Sequence, residues 1–196
     1  MLSPSLRDKL LFLHRWASLI GGVFLTVIAL SGAVLSFAGP EPTGFMKQVL
    51  TLHTHLLADE PGEITVSITT VATLLIVLIG VLLWWDDKIW RVRMGASWKR
   101  IVFDLHHLLG IAFSLVLVIM VGTGTLIQLN EEEGEAAAAA VERVPESLRA
   151  LHTGDFLGTP TRAIWFVGAL VLAWQVVSGF LMWWNARAAR KAAASG

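Results

Sequence analysis

The sequence predicts an all-α membrane protein: a four-transmembrane-helix bundle made of two tandem two-helix repeats, with short amphipathic helices at the periplasmic surface. Composition is the first observation. Of 196 residues, 55% are hydrophobic and 15% charged, and the mean hydropathy of +0.67 lies well above that of a soluble domain. The second is a set of four segments, Ala17 to Ala38, Ile64 to Trp85, Leu105 to Ile127 and Ala163 to Trp184, that contain no Asp, Glu, Lys or Arg. Each is about as long as the ~20 residues a helix needs to cross a bilayer. The third is self-similarity. Leu13-His14 with Ser31-Gly32 recurs 92 residues on as Leu105-His106 with Thr123-Gly124. Leu52-His53-Thr54 with Pro61, Gly80, Leu82, Trp84 and Trp85 recurs 99 residues on as Leu151-His152-Thr153 with Pro160, Gly179, Leu181, Trp183 and Trp184. A single transmembrane domain over residues 1–196 therefore divides into repeat one at about 7–86 and repeat two at about 99–185, the second with the longer connection.

Taken in order, Met1 to Lys9 carries two bases but no small-residue cleavage site, so the first span is expected to be retained. Arg7, Lys9, Arg15, Lys88, Arg91, Arg93, Lys99, Arg100, Arg187, Arg190 and Lys191 flank one side of the spans, and only Lys47, Arg143, Arg149 and Arg162 the other. The positive-inside rule then puts both termini and the middle loop in the cytoplasm, as a multi-pass protein of a bacterial inner membrane. Acidic residues divide the other way, leaving formal charges of +7 inside and −7 outside. Trp16, Trp84, Trp85, Trp90, Trp98, Trp183 and Trp184 gather at the inner boundary, as an interfacial aromatic belt does.

In the first outer connection, Phe45, Val49, Leu52, His53 and Leu56 fall at helical spacing and predict a short amphipathic helix with His53 on its apolar face. His55 shares a side with Gln48 and Thr51 and is expected to meet water. The second outer connection repeats this, with Pro145 at a helix start and Val144, Leu148, Leu151 and His152 on one stripe. Before it, Glu131 to Glu135 read as a solvated acidic loop and Ala136 to Ala140 as a helical turn.

The absence of Cys excludes disulfides, thiolate metal sites and thiol nucleophiles. No Gly-x-Gly-x-x-Gly fingerprint follows a strand, so no nicotinamide or flavin site is encoded. What remains is histidine. His14 and His106 lie just inside the cytoplasmic ends of spans one and three, and His53 and His152 just outside the periplasmic ends of spans two and four. The face of His14 continues through Ser18, Gly21, Leu25, Ile28 and Gly32, and that of His106 through Gly110, Phe113, Leu117, Met120 and Gly124. Such small residues make room either for close helix packing or for a flat macrocycle. His107 is rotated by about 100° from His106, onto a stripe with Ile111, Ser114 and Val118.

A lone histidine at a membrane boundary is ordinarily an interfacial residue, and duplication copies a structural histidine as readily as a ligand. Two facing pairs, with no Cys and no intramembrane carboxylate, fit axial ligation of two b haems by His14, His106, His53 and His152. Arg15 and Arg100 inside, and Arg162 outside, are the candidate partners of haem propionates. With both axial positions filled, the chemistry is electron transfer, and no catalytic side chain is expected.

Leu13-His14-Arg15-Trp16 with Ser31-Gly32, Asp104-Leu105-His106 with Gly110, and Leu151-His152-Thr153-Gly154 followed by Gly179 to Trp183 resemble the PepSY-associated transmembrane family. The likeness runs in order along nearly the whole chain. It implies a transmembrane reductase of ferric iron or ferric siderophores, with haem held by histidines, working beside iron-uptake components. Larger members carry periplasmic PepSY domains, for which the connections from Gly39 to Glu63 and from Gln128 to Arg162 are too short. The resulting expectation is a two-haem cytochrome fed inside by quinol or a reductase protein, in contact with membrane lipid and not with nucleic acid. The alternative is a haem-free accessory subunit of an iron transporter or other membrane complex. A permease for Fe2+ is disfavoured because the four spans carry no Asp or Glu. A cytoplasmic reporter fused after Gly196 is expected to be active and a periplasmic one silent; the reverse would invert the depth of both histidine pairs.

Overall fold

The computed structural model describes residues 2–39, 42–136 and 145–194. The chain forms α1 (Pro4–Leu35), α2 (Phe45–His55), α3 (Asp59–Asp87), α4 (Trp98–Ala136), α5 (Glu146–Thr153) and α6 (Thr159–Ala194), with a 3-10 turn at Asp155–Leu157. Helices α1, α3, α4 and α6 are long and apolar enough to cross a membrane, and α2 and α5 occupy the two outer connections.

Local chemistry accounts for these elements. Ser3 caps α1 by accepting from the Leu6 amide, and Pro4 occupies a first-turn position where no amide donor is needed. Inside the spans, hydroxyl groups donate to the carbonyl one turn back: Ser18 to His14, Thr26 to Gly22, Thr73 to Thr69 and Thr125 to Val121, at 2.6, 2.7, 2.7 and 2.9 Å. Hydrocarbon offers such groups no other partner.

Three expectations change. Glu131 to Glu135 continue α4, which ends at Ala136, instead of forming a loop. Glu is a good helix former, and extending an established helix costs far less than nucleating one. Residues 137–140 of the expected turn, and Val144, lie outside the described residues. Pro145 is the N-cap of α5, one place before the helix, and Leu151 is exposed, so the inward side of α5 is carried by Leu148 and His152. Trp84 leaves the aromatic belt: it is buried, donates its indole N–H to the Ile89 carbonyl at 3.2 Å and packs edge-on to Trp90.

The spans pack as a ring in the order α1, α3, α4, α6, with α6 returning to α1. Helices α1 and α4, the first of each repeat, consequently oppose each other on a diagonal. Leu25, Ala29, Leu117, Val121, Leu172 and Ala173 form the buried centre, with Leu74, Val77, Phe113 and Val176 packed against it. Close approach depends on small residues: a Cβ at Gly22 would lie 2.8 Å from Val176, and one at Gly168 3.0 Å from Val116. Ile20, Val23, Ile68 and Leu115 point outward, where lipid is as good a solvent as a protein core.

At the inner end the connection between the repeats is fastened by Asp104, which is 0% exposed. Its carboxylate accepts from the Arg93 amide, Nε and Nη2 at 3.1, 2.9 and 2.9 Å, and pairs with Arg100 Nε at 3.0 Å. The connection between repeats is thereby folded onto the first turns of α4. Replacing Asp104 by Asn is expected to lower stability by about 1.5–3 kcal/mol, the range for a hydrogen bond to a charged group. Asp87→Asn, which breaks the half-exposed Arg7–Asp87 pair, should cost less than about 1 kcal/mol. Denaturant midpoints in micelles measure the contrast.

Candidate functional site: two histidine pairs

At the inner end, His14 of α1 and His106 of α4 meet across the diagonal, with ring centroids 6.4 Å apart and planes at 90°. At the outer end, His53 of α2 and His152 of α5 meet with centroids 6.1 Å apart and planes at 43°. The short outer helices make the second pair by laying one side on the bundle and turning a histidine from it inward. From His14 to Gly32, where His53 rests, α1 advances eighteen residues, so the pairs are separated by about 27 Å along the bundle.

Each imidazole has one nitrogen committed. His14 Nδ1 donates to the Ile76 carbonyl at 3.1 Å, His53 Nδ1 to Ile28 at 2.9 Å, and His152 Nδ1 to Met120 at 2.9 Å. His106 Nδ1 lies 2.7 Å from the Ser178 hydroxyl, which itself donates to the Trp174 carbonyl and so accepts from the histidine. Ser31 and Thr123 lie 3.1 and 3.4 Å from the Nδ1 atoms of His53 and His152. These hydroxyls also give their own protons to backbone carbonyls. All four histidines thus carry the proton on Nδ1 and keep an electron pair on Nε2, the arrangement in which protein imidazoles bind metals.

Each ring also has a glycine seat. A Cβ at Gly124 would come within 2.7 Å of His152 Cε1, and one at Gly32 within 2.9 Å of His53 Cε1. At Gly80 and Gly179 the distances to His14 and His106 Cε1 are 3.3 and 3.8 Å. The repeated Ser31-Gly32 and Thr123-Gly124 dipeptides are explained by this: the hydroxyl faces Nδ1 and the glycine admits the ring. Burial away from water depresses the His53 pKa to about 4, helped by the neighbouring His152 and opposed by the Ile28 carbonyl. His152 is lowered chiefly by burial as well, against the Met120 hydrogen bond. Both outer imidazoles are neutral at physiological pH.

Other residues singled out from the sequence fall elsewhere. His107 donates Nδ1 to the Phe103 carbonyl at 2.8 Å and stacks on the Phe103 ring, 5.8 Å from the His106 ring. His55 turns away from His53, toward Glu63. Arg15 is exposed beside His14. Arg100 is committed to Asp104 and lies over Phe103, and Arg162 pairs with Asp155 at 2.8 Å. The room expected beside His106 is filled by protein: Gly110 by the Gln175 amide at 3.4 Å, Gly124 by His152, and Phe113 by core packing. Ser178 and Gln175, whose amide donates to the His106 carbonyl at 3.1 Å, escaped the sequence reading. In repeat one their positions hold Ile79 and Ile76, so the duplication did not flag them. A buried polar side chain in an apolar span is the signal that would have.

Among the described residues no three or more His, Cys, Asp or Glu side chains gather around one point. A metal at either pair would have two protein nitrogens and would have to bring its remaining ligands with it. A family model described as the PepSY-associated TM region matches residues 38–144 and 129–186, which include His53, His106 and His152. An uncharacterized protein of Pseudomonas aeruginosa is 40% identical over 87 residues, amounting to 42% of this chain and 21% of that protein. The chain thus spans about a fifth of that curated relative. No solved structure matches it.

The glycine seats make a graded test. Gly124→Ala and Gly32→Ala are expected to displace the outer imidazoles and destabilise by about 1–3 kcal/mol, as overpacking does. Gly179→Ala has 3.8 Å of clearance and gains roughly 1 kcal/mol of helix propensity, so it should be neutral or stabilising. Thermal midpoints of the three variants decide it.

Proposed function

The chain belongs to the PepSY-associated transmembrane family, and on that footing we propose that it is a two-haem b-type inner-membrane cytochrome that reduces ferric iron or a ferric siderophore at the periplasmic side. The observation that carries the reading is the spacing of the pairs. Two metal–nitrogen bonds of about 2 Å, with the distance from each nitrogen to its ring centre added, separate the centroids of a bis-imidazole metal by roughly 6 Å. The pairs stand at 6.4 and 6.1 Å, with the Nε2 electron pairs uncommitted.

His14 and His106 would hold the inner haem and His53 and His152 the outer one. A haem held there would supply reversible one-electron chemistry. The chain's own part is to hold the imidazoles neutral, in one tautomer, and at fixed depth. Arg15 is the cation available to an inner propionate, whereas Arg100 and Arg162 would have to be shared with Asp104 and Asp155. The donor is quinol or a reductase protein, the membrane sidedness follows the basic residues, and iron-uptake components are the expected partners. The accessory-subunit reading draws on the glycine seats, which fix the four rings whether or not a metal joins them.

A reduced-minus-oxidised spectrum with haem-to-protein stoichiometry separates the two readings: two low-spin b haems per chain are expected, and none would favour the accessory subunit. Alanine substitutions should group by depth. His14→Ala and His106→Ala are expected to remove or open one haem with a shared spectral phenotype, and His53→Ala and His152→Ala the other. His107→Ala should keep both. Loss of a haem in His107→Ala but not in His106→Ala would overturn the assignment.

A further inference from the structure

Three of the four paired imidazoles are anchored on a backbone carbonyl, and the fourth is not. His53 Nδ1 meets the Ile28 carbonyl and His152 Nδ1 the Met120 carbonyl, each at 2.9 Å. Met120 stands 92 residues on from Ile28, the offset between the spans that carry them, so the outer pair keeps the symmetry of the duplication. His14 Nδ1 meets the Ile76 carbonyl at 3.1 Å. The counterpart of Ile76, 99 residues on, is Gln175, but His106 Nδ1 stands instead 2.7 Å from the Ser178 hydroxyl. That hydroxyl lies 2.7 Å from the Trp174 carbonyl and 3.2 Å from the Gln175 carbonyl. At the inner end of repeat two a hydroxyl is thus interposed where repeat one makes a direct bond. Ser178 is 0% exposed, and its counterpart is the aliphatic Ile79.

The interposed group leaves the His106 ring with one principal restraint. A Cβ at Gly80 would stand 3.3 Å from His14 Cε1, whereas one at Gly179 would stand 3.8 Å from His106 Cε1, so the glycine seat grips this ring less closely. The main chain beneath it is pinned separately, by the Gln175 amide donating to the His106 carbonyl at 3.1 Å. With the backbone held by one α6 side chain, the freedom left to His106 is rotation of its ring, and the polar contact that limits it is Ser178. Elsewhere no side-chain substitution removes the anchor. Ser31 and Thr123 lie 3.1 and 3.4 Å from Nδ1 atoms that already have a carbonyl.

The two pairs differ in the quantity that ring rotation controls. In the symmetric outer pair the ring planes meet at 43°, and in the inner pair they are crossed at 90°. Each axial imidazole acts on a low-spin iron through the π orbital perpendicular to its own ring. Rings nearer to parallel raise one of the two matching iron orbitals above the other, whereas crossed rings raise both alike. A crossed pair therefore leaves ferric iron with two nearly degenerate orbitals, and a strongly anisotropic EPR signal follows from that. A neutral imidazole bound through Nε2 keeps its proton on Nδ1, so with iron in place Ser178 is the acceptor and adds to the basicity of His106.

We propose that Ser178 is a positioning residue that sets the angle of the His106 ring, holding the inner pair crossed and giving a haem there an electronic state distinct from that of the outer one. The inference rests on the cytochrome function proposed above. It assigns the difference between the two ends of the bundle to one buried hydroxyl that the duplication does not share.

The test is EPR and potentiometric titration of the full chain with its haem, in micelles. The oxidised protein is expected to show two low-spin ferric signals: one strongly anisotropic, lost in His106→Ala and so belonging to the inner pair, and one more rhombic. Ser178→Ala should abolish the anisotropic signal in favour of a more rhombic one and raise the midpoint potential of that haem, because losing the acceptor weakens the ligand. The other signal should persist, which also shows that the variant folds. Ser178→Thr keeps the hydroxyl, and repeat one carries the β-branched Ile79 at this position, so the anisotropic signal should be retained. Ser31→Ala leaves His53 on the Ile28 carbonyl and should leave the outer signal in place.

An anisotropic signal and midpoint unmoved in Ser178→Ala would overturn the inference while the cytochrome reading stands, as would two rhombic signals in the unsubstituted protein. Equal disturbance in Ser178→Ala and Ser178→Thr would also overturn it, since packing and not the hydroxyl would then orient the ring. A protein that carries no haem would sink the cytochrome reading and this inference with it.

Discussion

Everything about the histidine pairs depends on one rule of the bilayer: a polar group out of water must find its partner within the protein. Four imidazole Nδ1–H groups meet that demand by donating to Ile76, Ile28 and Met120 carbonyls and to the Ser178 hydroxyl. Each acceptor lies on a helix other than the one bearing the histidine. The bond therefore fixes three things together: the tautomer, the ring's orientation and the docking of two helices. The partner rings stand 6.4 and 6.1 Å away, centre to centre. The geometry of these pairs is thus a by-product of how the spans satisfy their own polar atoms.

Duplication explains why there are two such pairs and why they oppose each other. In each repeat the first span's histidine seats on a glycine of the second span, and the outer helix's histidine seats on a glycine of the first span. Placing α1 and α4 on a diagonal of the ring then brings like histidines of the two copies together. The copies are not identical. Ser178 replaces the aliphatic position at Ile79, Asp104 takes the place of Phe12, and the His55–Glu63 contact belongs to repeat one alone.

The same packing separates the two ends. A buried cluster of Leu, Val and Ala lies between the pairs. At the inner end the buried Asp104 and its two arginines tie the connection between the repeats to the first turns of α4. At the outer end the histidines of α2 and α5 bond to carbonyls of α1 and α4, so the positions of those helices and the geometry of the outer pair are linked.

The sequence by itself determined the four spans, the two-repeat division, both amphipathic connections and the family, because hydrocarbon imposes length and polarity on a span and duplication leaves periodic marks. It also singled out Gly80, Gly179, Ser31-Gly32 and Thr123-Gly124 as repeated positions, without assigning them a task. Tertiary structure alone decided those tasks, since a glycine's role is set by what packs on it, and Gly32 and Gly124 proved to admit imidazoles where the helical faces had suggested either close helix packing or space for a macrocycle. It likewise decided the course of Glu131 to Glu135, which local polarity marks as loop and an established helix carries onward. The roles of Ser178, Gln175 and Asp104 were out of reach for a further reason. Each breaks the repeat, and each is defined by a partner far away in sequence or across a fold of the chain, so only the packed bundle shows which proton goes where.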